Sequence, residues 1–218
     1  MILHEITGTE QHSAYEQLEA ANGSRQYSFL ASIIQASLTV DRAFLSSTVI
    51  KALNFHAIAC MHTNAGEYRP CPVSIMTGDI VNHEPPAHFR VGALMDDFVN
   101  MVNRQWDRSE PVVLAAFVLW RINFIHPFIN GNGRTARAAA YFVLCLKLGG
   151  MLPGDTALPE LLRQNRPRYV AALAQVDASL AGGALDLVPL VELIDELLAQ
   201  QLGPVLAAQA DAGGQAPG

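Results

Sequence analysis

Two segments constrain the fold of this chain more than any other feature. Val112 to Ile125 is apolar nearly all round, and Arg137 to Leu148 is a second such stretch, stopped by Gly149, Gly150 and Pro153. A helix without a polar face must be covered on most sides, so the pair is predicted to form the middle of a helical bundle. The longest uncharged runs, Pro111 to Trp120 and Ala138 to Leu146, fall far short of the ~20 residues that span a bilayer. They belong in a protein core, and no membrane partner is expected.

Helical spacing recurs on either side of this pair. In Phe89 to Asn103, Val91, Leu94, Met95, Phe98 and Val102 fall three and four apart, with Asp96, Asp97 and Asn100 opposite. Weaker patterns cover Ser13 to Ala21, Gln26 to Leu38, Ser46 to His62 and Leu187 to Gln201, with Ser46 or Ser47 as an N-cap. Between Glu67 and Val81 prolines at 70 and 72 forbid a helix, and Val73, Ile75, Ile80 and Val81 flank Thr77-Gly78-Asp79. A small β-hairpin fits there. The expected fold is therefore all-α with that hairpin added. Residues 1–45 read as an N-terminal helical segment, 46–202 as the core domain, and the Ala- and Gly-rich 203–218 as a flexible tail.

Charge and cysteine content exclude several functions. The net charge of −6 argues against general nucleic-acid binding, which needs clustered positive charge. Cys60, Cys71 and Cys145 are odd in number and widely spaced, and read as buried thiols. With no secretory signal pattern at the N-terminus, a cytoplasmic location is expected. The sequence leaves a homo-oligomer open.

The chemistry concentrates between the two apolar helices, in His126-Pro127-Phe128-Ile129-Asn130-Gly131-Asn132-Gly133-Arg134-Thr135-Ala136-Arg137. Gly131 and Gly133 allow backbone N–H groups to turn into one concavity. A helix starting near Arg134 adds its positive end. Asn132 offers an amide donor, Thr135 a hydroxyl, and Arg134 and Arg137, three apart on one face, can grip phosphate oxygens. His126, whose ordinary pKa lies near neutrality, is the candidate general base. Singly, these fragments are a turn, a helix-entry loop and a solvated face; together they point to a site for several phosphates. Phe128 most simply anchors the loop in the core.

This segment resembles the signature of the Fic family, His-x-Phe-x-(Asp/Glu)-Gly-Asn-Gly-Arg-x-x-Arg. Phe55-His56, Gly66-Glu67-Tyr68-Arg69 and Pro85-Pro86 resemble its flanking elements, and Asn165-Arg166-Pro167-Arg168-Tyr169 is similar to the stretch that closes over the base. The likeness runs from about Ser46 to Ser179. It implies a helical fold that transfers AMP from ATP to a hydroxyl side chain of a target protein. By position, His126 would deprotonate the target. Asn130, Gly131, Asn132, Gly133, Arg134, Thr135, Arg137, Asn165 and Tyr169 would bind the nucleotide. Val73, Ser74, Ile75 and Met76 would dock the target as an added strand.

Two departures from the pattern matter. The acidic residue that binds Mg²⁺ in the family is here Asn130, whose amide oxygen is a weaker metal ligand. Many members also carry an inhibitory helix, (Ser/Thr)-x-x-x-Glu-(Gly/Asn), whose Glu pairs with the last motif arginine; Ala31-Ser32-Ile33-Ile34-Gln35-Ala36 occupies the matching place. Gln35 cannot form that ion pair, or else the segment is a plain core helix. Protein adenylyl transfer is the first expectation. The alternatives are transfer of UMP, phosphocholine or phosphate on the same fold, or a nucleotide-binding module without catalysis.

Overall fold

Helices α5 (Pro111–Ile125) and α6 (Asn132–Lys147) lie side by side at the centre of the molecule in the computed structural model, which describes residues 2–77 and 80–213. Pro111 sits in the first turn of α5, where its fixed φ and missing N–H cost nothing. The run from Ala138 to Leu146 is buried without interruption, and Leu114, Leu119, Trp120 and Ile122 are buried on α5. Small side chains at Ala115, Ala116 and Ala138 to Ala140 leave little between the two backbones, so the pair packs as one unit.

The other elements cover that unit. In order they are α1 (Leu3–Thr7), α2 (Ser13–Thr39), α3 (Ser47–Ile58), strands β1 (Ile75–Thr77) and β2 (Ile80–His83), a 3-10 turn at His88–Arg90, and α4 (Val91–Gln105), followed beyond the central pair by α7 (Leu158–Gln164), α8 (Arg166–Ala181) and α9 (Val188–Gly213). Ser46 caps α3 by accepting the Val49 N–H at 3.1 Å. Among the described residues no helix is long and apolar enough to cross a membrane.

Several elements differ from the sequence reading. The segments Ser13 to Ala21 and Gln26 to Leu38 are one helix that runs through Gly23 and Ser24. Tertiary contacts outweigh the roughly 1 kcal/mol that a mid-helix glycine costs: Asn22 donates to the Ala59 carbonyl and Gln26 to the Leu53 carbonyl, both at 2.9 Å, while Leu30 and Ile34 enter the core. Strands β1 and β2 pair antiparallel, Met76 opposite Val81 and Thr77 opposite Ile80, with an irregularity between Ile75 and Met76. This ladder is shorter than the expected hairpin, since Val73 and Ser74 precede it, and the turn residues 78 and 79 lie outside the described residues. Helices α7 and α8 have no counterpart in the sequence reading, because α7 has only seven residues and Pro167 falls in the first turn of α8.

The expected tail from 203 is, through Gly213, a continuation of α9 across Pro204, in keeping with the high helix propensity of its Ala, Leu and Gln. Of the cysteines, Cys145 is buried, its thiol pKa pushed up to about 11 by burial. Cys60 and Cys71 are exposed, contrary to expectation; Cys60 sits at φ 63° in the turn after α3.

Overpacking the centre tests this arrangement. Ala139→Leu places three extra heavy atoms in a fully buried position and is expected to lower stability by about 1–3 kcal/mol, read as a fall of several degrees in Tm.

Candidate anion-binding site

The loop from His126 to Gly131 joins the central helices, and its polar groups are tied down on every side. His126 closes α5 in a left-handed conformation, φ 51°, with its N–H on the Ile122 carbonyl at 2.9 Å. Asn132 reaches back with both ends of its amide: its oxygen accepts the Phe128 N–H and its NH₂ donates to the Phe128 carbonyl, each at 2.9 Å. Phe128 is fully buried and fixes the loop to the core, as expected. From α3, Asn54 donates to the Asn130 carbonyl at 2.9 Å and to Thr135 Oγ1 at 3.2 Å, and accepts the Gly66 N–H at 3.0 Å. Arg69, also buried, donates to the carbonyls of His126 at 2.8 Å, Cys71 at 3.1 Å and Pro86, while its N–H meets the Pro127 carbonyl at 2.8 Å.

Gly131 then starts α6 at φ 75°. A Cβ there would stand 2.7 Å from Ile58 Cγ2 and 3.2 Å from Asn54 Nδ2, so both conformation and space require glycine. Gly133 was expected to share that role, but it lies inside the first turn of α6 without a positive φ. Its lack of a side chain leaves open the space beside Arg137 Nη1, which a Cβ would approach to 3.3 Å. The first backbone bond of the helix is the Thr135 N–H to the Gly131 carbonyl, so the N–H groups of Asn132, Gly133 and Arg134 precede the ladder.

That helix end opens into a cleft of about 1420 Å³ lined by His126, Asn130 to Arg134, Arg137 and Tyr169, with Glu16 and Glu19 of α2 across from them. The two motif arginines differ. Arg134 is engaged by the Ala57 carbonyl at 3.0 Å, Asn130 Oδ1 at 3.1 Å and Glu19 at 3.2 Å. Arg137 has no carboxylate partner among the described residues; burial and the neighbouring guanidinium groups of Arg134, Arg166 and Arg163 pull its pKa down. An uncompensated, largely buried cation beside a helix N-terminus is a site prepared for an anion. Burial lowers the pKa of His126 to about 4, against an opposing backbone contact at Asn123 and with His83 and Arg69 adding to the fall, and its Nδ1 has no hydrogen-bond partner among the described residues. The ring is therefore neutral at physiological pH and has a free acceptor.

Other expected roles are reassigned by the geometry. Asn132 and Thr135 are 2% and 0% exposed and spend their side chains on the loop, Thr135 donating to the Gly131 carbonyl at 2.9 Å. The side chain of neither faces a ligand. Asn165 turns away and donates to the Leu161 carbonyl at 2.9 Å, closing α7. Tyr169 does line the cleft, its hydroxyl accepting from Asn123 at 2.7 Å. Asn130 gives its oxygen to the Arg134 guanidinium and its NH₂ to Glu10 at 2.8 Å. A neutral oxygen that faces a cation does not fit a Mg²⁺ ion, so Asn130 is not a metal position in this arrangement. Gln35 is exposed on the far part of α2, 3.4 Å from Thr39 Oγ1, and is an ordinary helix residue. The acid that meets a motif arginine is Glu19.

Residues 44–144 match the Fic/DOC family. The chain is 33% identical over 97 residues to the protein adenylyltransferase Fic of Drosophila willistoni, covering 43% of this chain and 18% of that protein. Against the protein of the same name from Nematostella vectensis it is 30% identical over 96 residues, or 42% and 21%. The chain thus spans about a fifth of the length of these relatives. Among solved structures, a Fic domain containing signaling protein from Bacteroides thetaiotaomicron superposes with a TM-score of 0.69 at 24% identity, over 92% of this chain and 76% of that one. Fic-1 from C. elegans gives 0.70 at 21%, over 96% and 57%. These likenesses extend the Fic fold over nearly the whole helical assembly.

The Fic segment depends on residues that the sequence reading did not assign. Asn54 is a polar position within the buried stripe Ile50, Leu53, Ala57 and Ile58 of α3, a signal that could have marked it. Glu19 is hidden because Tyr15 and Ala20 depart from the ends of the inhibitory pattern. Asn54→Ala would strand the Asn130 carbonyl and the Gly66 N–H. A loss of about 1–3 kcal/mol is expected from denaturant titration.

Proposed function

We propose that this chain is a protein adenylyltransferase, moving AMP from ATP to a Ser, Thr or Tyr hydroxyl of another protein. The observation that carries this reading is the meeting, in one cleft, of a neutral His126 with the α6 N-terminus and Arg137, which has no carboxylate partner among the described residues. The names of the relatives support it, as do two structures of the same fold. The BepC protein of Bartonella tribocorum holds AMPPNP, with a TM-score of 0.51 at 11% identity, and IbpAFic2 is covalently tethered to Cdc42, with 0.53 at 21%.

In this reading the N–H groups at the start of α6 and Arg137 hold the phosphates. The imidazole of His126 takes the proton of the target hydroxyl as its oxygen bonds to the α-phosphorus. The bond to the bridging oxygen breaks and pyrophosphate leaves, its charge met by Arg137 and by Arg134 once released from Glu19. No step runs through Asn130. That residue favours a second reading, a nucleotide-binding module without transfer. Incubation with lysate and labelled ATP, UTP, GTP or CDP-choline separates the donors, and binding without labelling would establish the second reading.

His126→Ala is expected to abolish labelling while changing nucleotide affinity only a few-fold, because the base acts on the hydroxyl. Since the ring of the free protein stays deprotonated down to about pH 4, kcat/KM for the target should hold through pH 6 and fall only as pH approaches 4. A limb near 6.5 would remove His126 from the role.

Glu19 restrains the site in this reading, since it occupies the guanidinium that a leaving pyrophosphate needs. Glu19 is half-exposed although Arg134 is mostly buried, and solvent screening on the Glu19 side keeps the pair to about 1 kcal/mol. Glu19→Gln should therefore raise ATP affinity about two- to fivefold, measured by titration, with labelling rising in step.

A further inference from the structure

Among the described residues, one group of metal-capable side chains stands apart from the cleft. His4 on α1, Glu10 in the turn that follows and His62 beyond α3 bring one ligand atom each within 4.8 Å of one another. We propose that His4, Glu10 and His62 bind a divalent cation of the zinc class, which staples the N-terminal segment to the turn after α3 and to the Asn130 loop.

The donor chemistry selects the ion. Two imidazoles and one carboxylate suit Zn²⁺ and its neighbours far better than Mg²⁺ or Ca²⁺, which take oxygen ligands. Bonds of 2.0–2.1 Å in a tetrahedral site set ligand atoms about 3.4 Å apart, and Glu10 Oε1 already lies 3.2 Å from His62 Nε2. The same nitrogen has the Tyr15 hydroxyl at 2.6 Å. One ring nitrogen has a single lone pair or a single proton, yet two oxygens converge on it. A cation resolves that crowding by binding the nitrogen and the carboxylate together, with Tyr15 left as a fourth donor or as the partner of a bound water. His62 is 7% exposed, so little water competes for its ring nitrogen.

The second argument is mechanical. Helix α1 has five residues and buries none of them. It is held by the N–H groups of Leu3 and His4 on the carbonyls of Cys60 and Met61, at 2.9 and 3.0 Å, and by the His4 ring stacked 4.8 Å from that of His62. So short a helix is not stable on its own, and a metal crosslink would supply what its packing lacks. Glu10 Oε1 also accepts the Asn130 amide at 2.8 Å, so loading the site would settle a residue of the Fic motif without the ion entering the cleft.

The test uses the full chain after treatment with a chelator. Zn²⁺ alone is titrated by calorimetry, and Co²⁺ by the visible absorption of a tetrahedral complex. A single equivalent should bind, raise Tm and slow proteolysis before residue 13 at least fivefold. His4→Ala and Glu10→Gln alter partly or fully exposed positions, and each should weaken Zn²⁺ binding at least about tenfold while leaving the metal-free Tm within a few degrees. Absence of binding, or binding by both variants as tight as in the natural protein, would overturn the proposal, the latter by showing that other histidines hold the ion.

Discussion

Two buried asparagines, Asn54 and Asn132, hold the link between the central helices, and the rest of the site depends on them. The link leaves a helix end and enters another between apolar walls, where an unpaired carbonyl or N–H costs about 1–3 kcal/mol. Asn132 answers both backbone groups of Phe128, and Asn54 answers Asn130, Thr135 and Gly66 at once. Because these amides are saturated by the protein, the start of α6 keeps its shape whether or not a ligand is present. An anion at that helix end would then be met by backbone N–H groups and by arginine.

Much of the architecture is legible in the residues. The apolar runs around Leu119 and Phe142 announce their own burial, and Ser46 announces the start of α3. The density of glycine, asparagine and arginine after His126 announces the cradle. What the sequence obscured depends on tertiary partners. Gly23 reads as a break until Asn22 and Gln26 are seen to grip the backbone of α3 and its turn. Asn132 and Thr135 read as ligand donors because their type and position suit a phosphate, and only their burial shows that they serve the loop. The acid opposite Arg134 comes from the first third of the chain, and no local pattern connects residues so far apart.

Electrostatics within the cleft is uneven in a way that the overall charge conceals. A chain with a net charge of −6 keeps four arginines around one cavity. Arg163 is paired with Glu160 and Arg134 with Glu19, while Arg137 has no carboxylate partner among the described residues. The surface is acidic and the cavity retains a deep positive point. Long-range attraction for polyanions is thereby weak, and a small anion that reaches the helix end meets an unscreened charge.

Arg69 also joins parts of the molecule that look separate. Its guanidinium takes carbonyls from His126, from Cys71 ahead of β1 and from Pro86 beyond β2. Both feet of the paired strands thus hang from the same cation as the histidine. A peptide laid along the edge of β1 would be measured against the imidazole as against a ruler, with the spacing from its paired residues to its reacting side chain fixed by one pivot. Selection would then fall on where a hydroxyl sits along an extended backbone more than on which side chains surround it.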